Sequence, residues 1–150
     1  QPVMAEIDLA TSHAPWTPVP TLVPWEEVGD GTVFRGMKGP KGAEIWSDPV
    51  KVRAAYESSI SYAMATVVSF VRSQRSSDLV VLVLGDHQPA TIVSGSAADH
   101  DVPVTLIARD DVAAATDGWG WQPGMRPDAG APVWRMDAVR DRVLEAFSRR

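Results

Sequence analysis

Two adjacent side chains that could bind a metal ion, Asp86 and His87, follow the longest apolar run of the sequence after a single glycine, Gly85. The carboxylate supplies negative charge and the neutral imidazole a directed lone pair, so the pair suits a divalent cation. Alternatively, Asp86 makes a turn and His87 is merely solvated. We favour metal binding, because open α/β sheets hold their ligands at the carboxyl ends of buried strands. Two protein ligands are too few for a closed site, so further ligands must lie elsewhere.

The other two of the three histidines also lie in loops near predicted strand ends. His13 precedes Ala14 and Pro15, and it is either a second polar group of the same site or an ordinary turn residue. His100, between two aspartates, is either a further ligand or a surface residue. The sequence has no phosphate-binding glycine loop, no HExxH helix and no G-x-S-x-G elbow. The segment 94–96, SGS, lacks the strand-to-helix context that a serine nucleophile needs.

The positions of these residues depend on three predicted strands. The apolar run at 79–84 is continuous rather than alternating, which predicts a strand buried on both faces in a parallel sheet. Residues 3–10 partly alternate apolar with acidic side chains, which predicts a strand with one face less buried. Residues 102–108 predict another strand, nearer an edge because of Pro103.

Two amphipathic helices frame these strands in the prediction. Asp48 and Pro49 suit the start of a helix, and an apolar stripe then continues to about residue 73. A second apolar stripe, from Met136 to Phe147, predicts a C-terminal helix. Residues 110–116 predict a short helix; residues 16–42, 73–77, 91–98 and 117–132 predict loops or turns. The long helix, a short turn and the strand would form half of a parallel crossover, so we expect an α/β fold in one domain.

Composition excludes several classes of function. The chain of 150 residues is 45% hydrophobic and 22% charged, as in an ordinary soluble domain with a real core. Its net charge of −5, without any basic run, argues against nucleic acid as a partner. The absence of cysteine excludes disulfides and thiolate metal sites. No segment approaches the roughly 18 apolar residues of a membrane span. The six tryptophans suit packed loops or sugar-stacking platforms, and we favour packing.

Four motifs together resemble the C-terminal half of the alkaline phosphatase and sulfatase-like superfamily. They are GDHQP after an apolar strand, an earlier SHAPW, the helix AYESSISYAMATVVSFV and a later DVPVTLIARD. The nearest branch is the membrane-anchored bacterial sulfatase-like hydrolases and transferases related to lipoteichoic acid synthase. The resemblance spans roughly residues 5–147, and its most specific part is the aspartate-histidine pair.

The resemblance implies a partial sandwich in which a long helix packs on a mixed sheet and a C-terminal helix follows. It implies that Asp86 and His87 are ligands of Mn²⁺, Zn²⁺ or Ca²⁺, and that His13 contacts the phosphoryl or sulfuryl oxygens of an ester substrate. His100 lies where some members of the superfamily have a further metal-binding histidine. The family nucleophile is a threonine or serine held on the metal.

In the family, the nucleophile and the first metal carboxylate come from an N-terminal half of the domain, and we expect that half to lie outside residues 1–150. Residues 1–150 are therefore expected to be the C-terminal portion of a catalytic domain, inactive without an N-terminal half. The resemblance also implies that a membrane bundle in the parent protein places this part, soluble by itself, on the extracytoplasmic face of the cell membrane.

Two other functions remain open on the sequence alone. The first is a non-catalytic extracellular module whose tryptophans, Trp119 and Trp121 with Trp16 and Trp25, stack on glycans or a cell-wall polymer. The second is a degenerate structural domain that stabilises a partner, in which removal of His87 would affect stability alone.

Overall fold

The computed structural model describes residues 3–74 and 78–148, which combine helices with a two-stranded sheet. The strands are β1 (Val81–Leu84) and β2 (Val104–Ile107). The α-helices are α1 (Trp25–Val28), α2 (Gly42–Trp46), α3 (Pro49–Ser73), α4 (Thr91–Ser94), α5 (Asp110–Ala113) and α6 (Met136–Ser148). Short 3₁₀ helices lie at Ala10–Ser12, Thr32–Phe34 and Ala114–Thr116. The predicted α/β class, with one long helix and a C-terminal helix, is confirmed.

The described residues form two compact units, which we describe separately. The first contains residues 3–74 and 90–96, and the second contains residues 78–89 and 97–148. The organisation of residues 1–150 as one domain stays a prediction.

Helix α3 organises the first unit and begins and ends where the sequence predicts. The side chain of Asp48 accepts a hydrogen bond from the backbone N–H of Val50 at 2.9 Å, and Pro49 occupies the first helical position. The buried side of the helix carries Val52, Ala55, Ser59 and Ala63. Because Ser59 is fully buried, its hydroxyl needs a partner, and it donates to the backbone carbonyl of Thr11.

A small core centred on Trp16 joins this helix to the preceding loop. Trp16 is 4% exposed and packs with Ile45, Val52 and Ala55. Its ring lies 5.5 Å from that of Trp46 in a stacked arrangement and 5.2 Å from that of Tyr56, edge to face. The predicted irregular course of residues 16–42 is confirmed, since only two single-turn helices interrupt it.

The strand predicted for residues 3–10 is wrong. Residues 3–9 have no regular structure and end in a 3₁₀ helix at Ala10–Ser12; Val3 and Met4 are about nine-tenths exposed, at 89% and 92%. An alternating pattern produces a strand only where a sheet edge is available to pair with it. Within residues 3–74 and 78–148, β1 and β2 pair only with each other.

The sheet of the second unit corrects the predicted direction of β1. Strands β1 and β2 are antiparallel, with Val81 opposite Ile107 and Leu84 opposite Val104. The predictions of a parallel sheet and of a parallel crossover are therefore wrong, as is full burial, because the residues of β1 are half-buried or exposed. A continuous apolar run indicates a buried environment and does not by itself determine strand direction.

The remaining predictions for the second unit largely hold. Strand β2 lies within residues 102–108 and follows Pro103, while α5 and the adjoining 3₁₀ helix occupy residues 110–116. Helix α6 buries Val139, and residues 117–132 contain no helix or strand.

Two predicted connections differ or fall partly outside the structure. The sequence predicts a loop at 91–98, but these residues contain the single-turn helix α4. Residues 91–96 belong to the first unit. Of the polar turn predicted at 73–77, residues 75–77 lie outside the described residues. Across residues 3–74 and 78–148, no helix combines the length and the hydropathy that a membrane crossing requires.

Candidate metal centre

The end of strand β1 positions Asp86 and His87. Gly85 separates them from the strand, and its N–H points to the carbonyl of Pro103 at 3.4 Å. A Cβ at Gly85 would lie 3.2 Å from the Cβ of Val102, which is closer than most such contacts. Glycine therefore lets the end of β1 approach the segment before β2, and this contact determines where the next two residues leave the sheet.

The carboxylate and the imidazole face each other at this strand end. Oδ2 of Asp86 lies 3.5 Å from Nε2 of His87, and Oδ1 of Asp86 accepts a hydrogen bond from the backbone N–H of His87 at 3.0 Å. The two side chains are 88% and 69% exposed, respectively. Both groups are therefore accessible to an ion or substrate from solvent.

A second contact determines which imidazole nitrogen is available. Nδ1 of His87 lies 2.7 Å from the backbone carbonyl of Gln88. A carbonyl only accepts hydrogen bonds, so this contact is a hydrogen bond when Nδ1 carries the proton, and in that tautomer of the neutral ring the lone pair is on Nε2. Histidines that bind metals commonly donate their other N–H to a carbonyl in this way, which fixes the tautomer and the orientation of the ring.

These atoms fit two of the ligands of a divalent cation. Metal bonds of about 2.1 Å at a tetrahedral angle separate two donor atoms by about 3.4 Å, close to the 3.5 Å between Nε2 of His87 and Oδ2 of Asp86. Within the part of the chain that the structure describes, no group of three or more His, Asp or Glu side chains could hold a metal. Among the described residues, Asp86 and His87 alone would therefore not complete a metal site.

Gln88 supports the pair, and the sequence interpretation gave it no role. Its side-chain Nε2 donates to the backbone carbonyl of Asp101, which ties the strand-end turn to the segment before β2. That segment is shaped locally by Asp99, whose Oδ1 accepts from the N–H of Asp101 at 3.0 Å. His100 lies exposed between them, and the described residues do not bring it into a metal-binding group with Asp86 and His87.

His13, in the first unit, repeats the local geometry of His87. Its Nδ1 lies 2.7 Å from the carbonyl of Ala14, so Nε2 is again the free nitrogen. The turn is anchored by Trp16, whose indole N–H donates to the carbonyl of Ser12 at 2.9 Å. Both histidines belong to a His-x-Pro sequence, and this shared spacing is the signal from which the common geometry could have been predicted.

The tryptophans divide between packing and exposure. Trp16 is a core residue, so packing is confirmed for it and its ring is not available for a glycan. In the second unit Trp119 stacks on Trp121, with ring centres 5.9 Å apart, and meets Trp134 edge to face at 5.5 Å. Trp121 is 40% exposed, and its N–H donates to the hydroxyl of Thr116 at 2.8 Å.

Comparisons with protein-family models, with curated proteins and with solved structures find no match to this chain. Asp86, His87 and His13 are therefore interpreted from their own geometry.

Proposed function

We propose that this chain is the C-terminal portion of a metal-dependent hydrolase or transferase of phosphate or sulfate esters, of the alkaline phosphatase and sulfatase-like type. Its contribution is Asp86 and His87 as metal ligands. The observation that carries the proposal is the 3.5 Å separation of Oδ2 of Asp86 from Nε2 of His87, with Nδ1 occupied by the carbonyl of Gln88.

The exposure of the pair favours a catalytic over a structural metal site. Structural sites are closed by four protein ligands, whereas catalytic sites keep a position open for water or substrate. Asp86 and His87 are both more than two-thirds exposed, and the described residues supply no third ligand. We infer that the remaining ligands and the nucleophile come from another segment and that this chain alone is inactive.

The proposed roles follow the chemistry of ester cleavage. A bound divalent cation would stabilise the negative charge that develops on the phosphoryl or sulfuryl oxygens and activate the nucleophile. Asp86 and His87 would hold that cation in place. His13, whose Nδ1 is fixed on the carbonyl of Ala14, presents Nε2 to a substrate oxygen. We propose His100 as a further metal ligand in the complete protein.

Activity in the longer protein that contains this chain tests the proposal. We expect Mn²⁺- or Zn²⁺-dependent release of nitrophenol from a nitrophenyl phosphodiester and from nitrophenyl sulfate as the alternative ester. Asp86→Asn and His87→Ala should each reduce the rate at least about hundredfold. Asp117→Asn is the matched control, because it removes the same charge from an exposed position of the same unit. Full activity in the Asp86→Asn variant would refute the proposal.

We also propose that the longer protein carries this chain on the extracytoplasmic face of the cell membrane. The proposal comes from the resemblance to membrane-anchored members of the superfamily. A tag fused to the end of α6 should be cleaved by protease added to intact spheroplasts; protection of the tag until lysis would contradict this location.

A second candidate function, glycan or cell-wall-polymer binding, is favoured by the exposed face of Trp121 beside Trp119. Aromatic rings with one free face are the usual partners of sugar rings. Titration with teichoic acid or oligosaccharides should then quench tryptophan fluorescence to saturation, with or without a chelator, and Trp121→Ala should abolish the quenching. Quenching that requires a divalent metal would instead favour the ester-cleaving function.

A further inference from the structure

A cavity in the first unit is lined by none of the residues assigned to the candidate metal centre. Its volume is about 260 Å³, and it opens between the segment 8–11, the loop that contains α1, and one side of helix α3. Because a cavity of about 150 Å³ accommodates benzene, this one has room for a small organic molecule. It is below the usual volume of sites for drug-sized ligands, about 300 to 1,000 Å³.

Three aromatic side chains, Trp25, Phe34 and Tyr62, line this cavity. Trp25 is held in place from two sides. Its indole N–H donates to the hydroxyl of Ser69 at 3.0 Å, and its ring meets Phe70 edge to face at 5.9 Å. The Trp25 ring is therefore preorganised, so a ligand would not have to order it.

The single charged residue of the cavity lining is Asp8. Aromatic faces carry a negative quadrupole and attract cations, and recognition of quaternary ammonium groups by aromatic cages uses this attraction. The negative charge of Asp8 would attract a cation as well, so the ring faces and Asp8 favour the same kind of ligand. An anion would meet repulsion from Asp8, and a purely apolar ligand would make no use of it.

We infer that this cavity binds a small organic ammonium ion of about the size of choline, free in solution. The ammonium group lies against the aromatic wall and near the carboxylate of Asp8, and its alkyl groups contact the apolar lining. The site is independent of the proposed ester chemistry, because none of its lining residues belongs to the candidate metal centre.

Isothermal titration of the chain with choline, in the presence of chelator, tests this inference. We expect saturable binding that weakens as salt is raised and that is at least about fivefold tighter than binding of the uncharged tert-butyl analogue of choline. Asp8→Asn should weaken choline binding by about fivefold. The matched control is Glu6→Gln. Glu6 lies two residues before Asp8 and does not line the cavity, so removing its negative charge should leave binding unchanged.

Three results would overturn the inference. The first is the absence of saturable choline binding by the unmodified chain. The second is equal binding of choline and its uncharged analogue, which would indicate an apolar site. The third is binding to phosphatidylcholine vesicles without binding of free choline, which would indicate a lipid-headgroup site. Trp25→Leu provides a second check: it retains apolar volume and removes the aromatic face, and it should reduce choline binding while leaving binding of the uncharged analogue nearly unchanged.

Discussion

Oδ2 of Asp86 lies 3.5 Å from Nε2 of His87, while the other ring nitrogen of His87 is engaged by the carbonyl of the next residue. The imidazole is thus held from one side and presents its free lone pair to the carboxylate on the other. A positive charge between these two atoms, either a proton on Nε2 or a metal ion, would stabilise this arrangement. The geometry is compatible with the shared divalent cation that we propose.

The first prediction concerns Gln88, whose side chain donates to the carbonyl of Asp101 and holds the turn that contains the pair. Gln88→Ala should weaken metal binding about tenfold, because groups that orient metal ligands typically contribute that much to affinity. Calorimetric titration with Mn²⁺ measures the change. Gln74→Ala, at the end of α3 in the other unit, is the matched control, and an equal loss in both variants would contradict an orienting role for Gln88.

The second prediction concerns Trp16, the centre of the core of the first unit. Trp16→Ala should destabilise the protein by about 3 to 5 kcal/mol, since it removes a buried aromatic side chain that contacts two other rings. Urea denaturation monitored by circular dichroism measures the loss. Trp121→Ala removes an equally large but 40% exposed side chain and should cost clearly less; equal losses would argue against this core.

The third prediction concerns the start of helix α3, where Asp48 accepts from the N–H of Val50. Asp48→Ala should lower the free energy of unfolding by about 1 kcal/mol, because the cap satisfies a backbone donor that the helix leaves free. Glu57→Ala, at an exposed position in the same helix, should change it by less than about 0.5 kcal/mol. Thermal and urea unfolding of both variants tests the difference. An unchanged free energy of unfolding in Asp48→Ala would contradict the capping role.

Local signals predicted the helices better than the sheet, and particular residues show why. Asp48, Pro49 and the apolar stripe of α3 are all within one segment, so both ends of that helix could be predicted from the sequence. The direction of β1 depends on its partner β2, about twenty residues further along, and a continuous apolar run does not encode it. In the exposed segment 3–9, apolar and acidic residues partly alternate as in a strand, but among the described residues no strand pairs with this segment.

The candidate site could likewise be predicted only in part, because some of its contacts join segments that are distant in the sequence. Asp86 and His87 are neighbours in sequence, and their placement after an apolar strand predicted a metal site at the strand end. The contact of Gln88 with Asp101 depends on backbone conformation that residue types do not specify, whereas the shared His-x-Pro sequence was an available signal for the contacts of His13 and His87 with the following carbonyl.

The fourth prediction concerns pH and the exposed ion pair of Arg109 and Asp111, whose Nε and Oδ1 atoms are 2.8 Å apart. The hydrogen bond from the guanidinium lowers the pKa of Asp111 below its ordinary value of 3.8. The contribution of the pair to stability is therefore fully present above that ordinary value and is lost as pH falls through the folded-state pKa. Because both side chains are about half or more exposed, the contribution is small and salt-dependent.

Carboxyl-carbon NMR titration checks this prediction directly. The pKa of Asp111 should rise toward its ordinary value in Arg109→Gln and should stay low in Arg140→Gln, which breaks a different exposed pair. An unchanged pKa of Asp111 in Arg109→Gln would show that the pair does not form in solution.

Titration of the chain with Mn²⁺, followed by the loss of the free-ion EPR signal, tests the central claim that Asp86 and His87 jointly hold a divalent cation. We predict one saturable site, weakened at least about tenfold in both Asp86→Asn and His87→Ala and unchanged in Asp117→Asn, which removes an exposed carboxylate of the same unit. Binding that is the same in all four proteins, or that is absent from the unmodified chain, would contradict the claim.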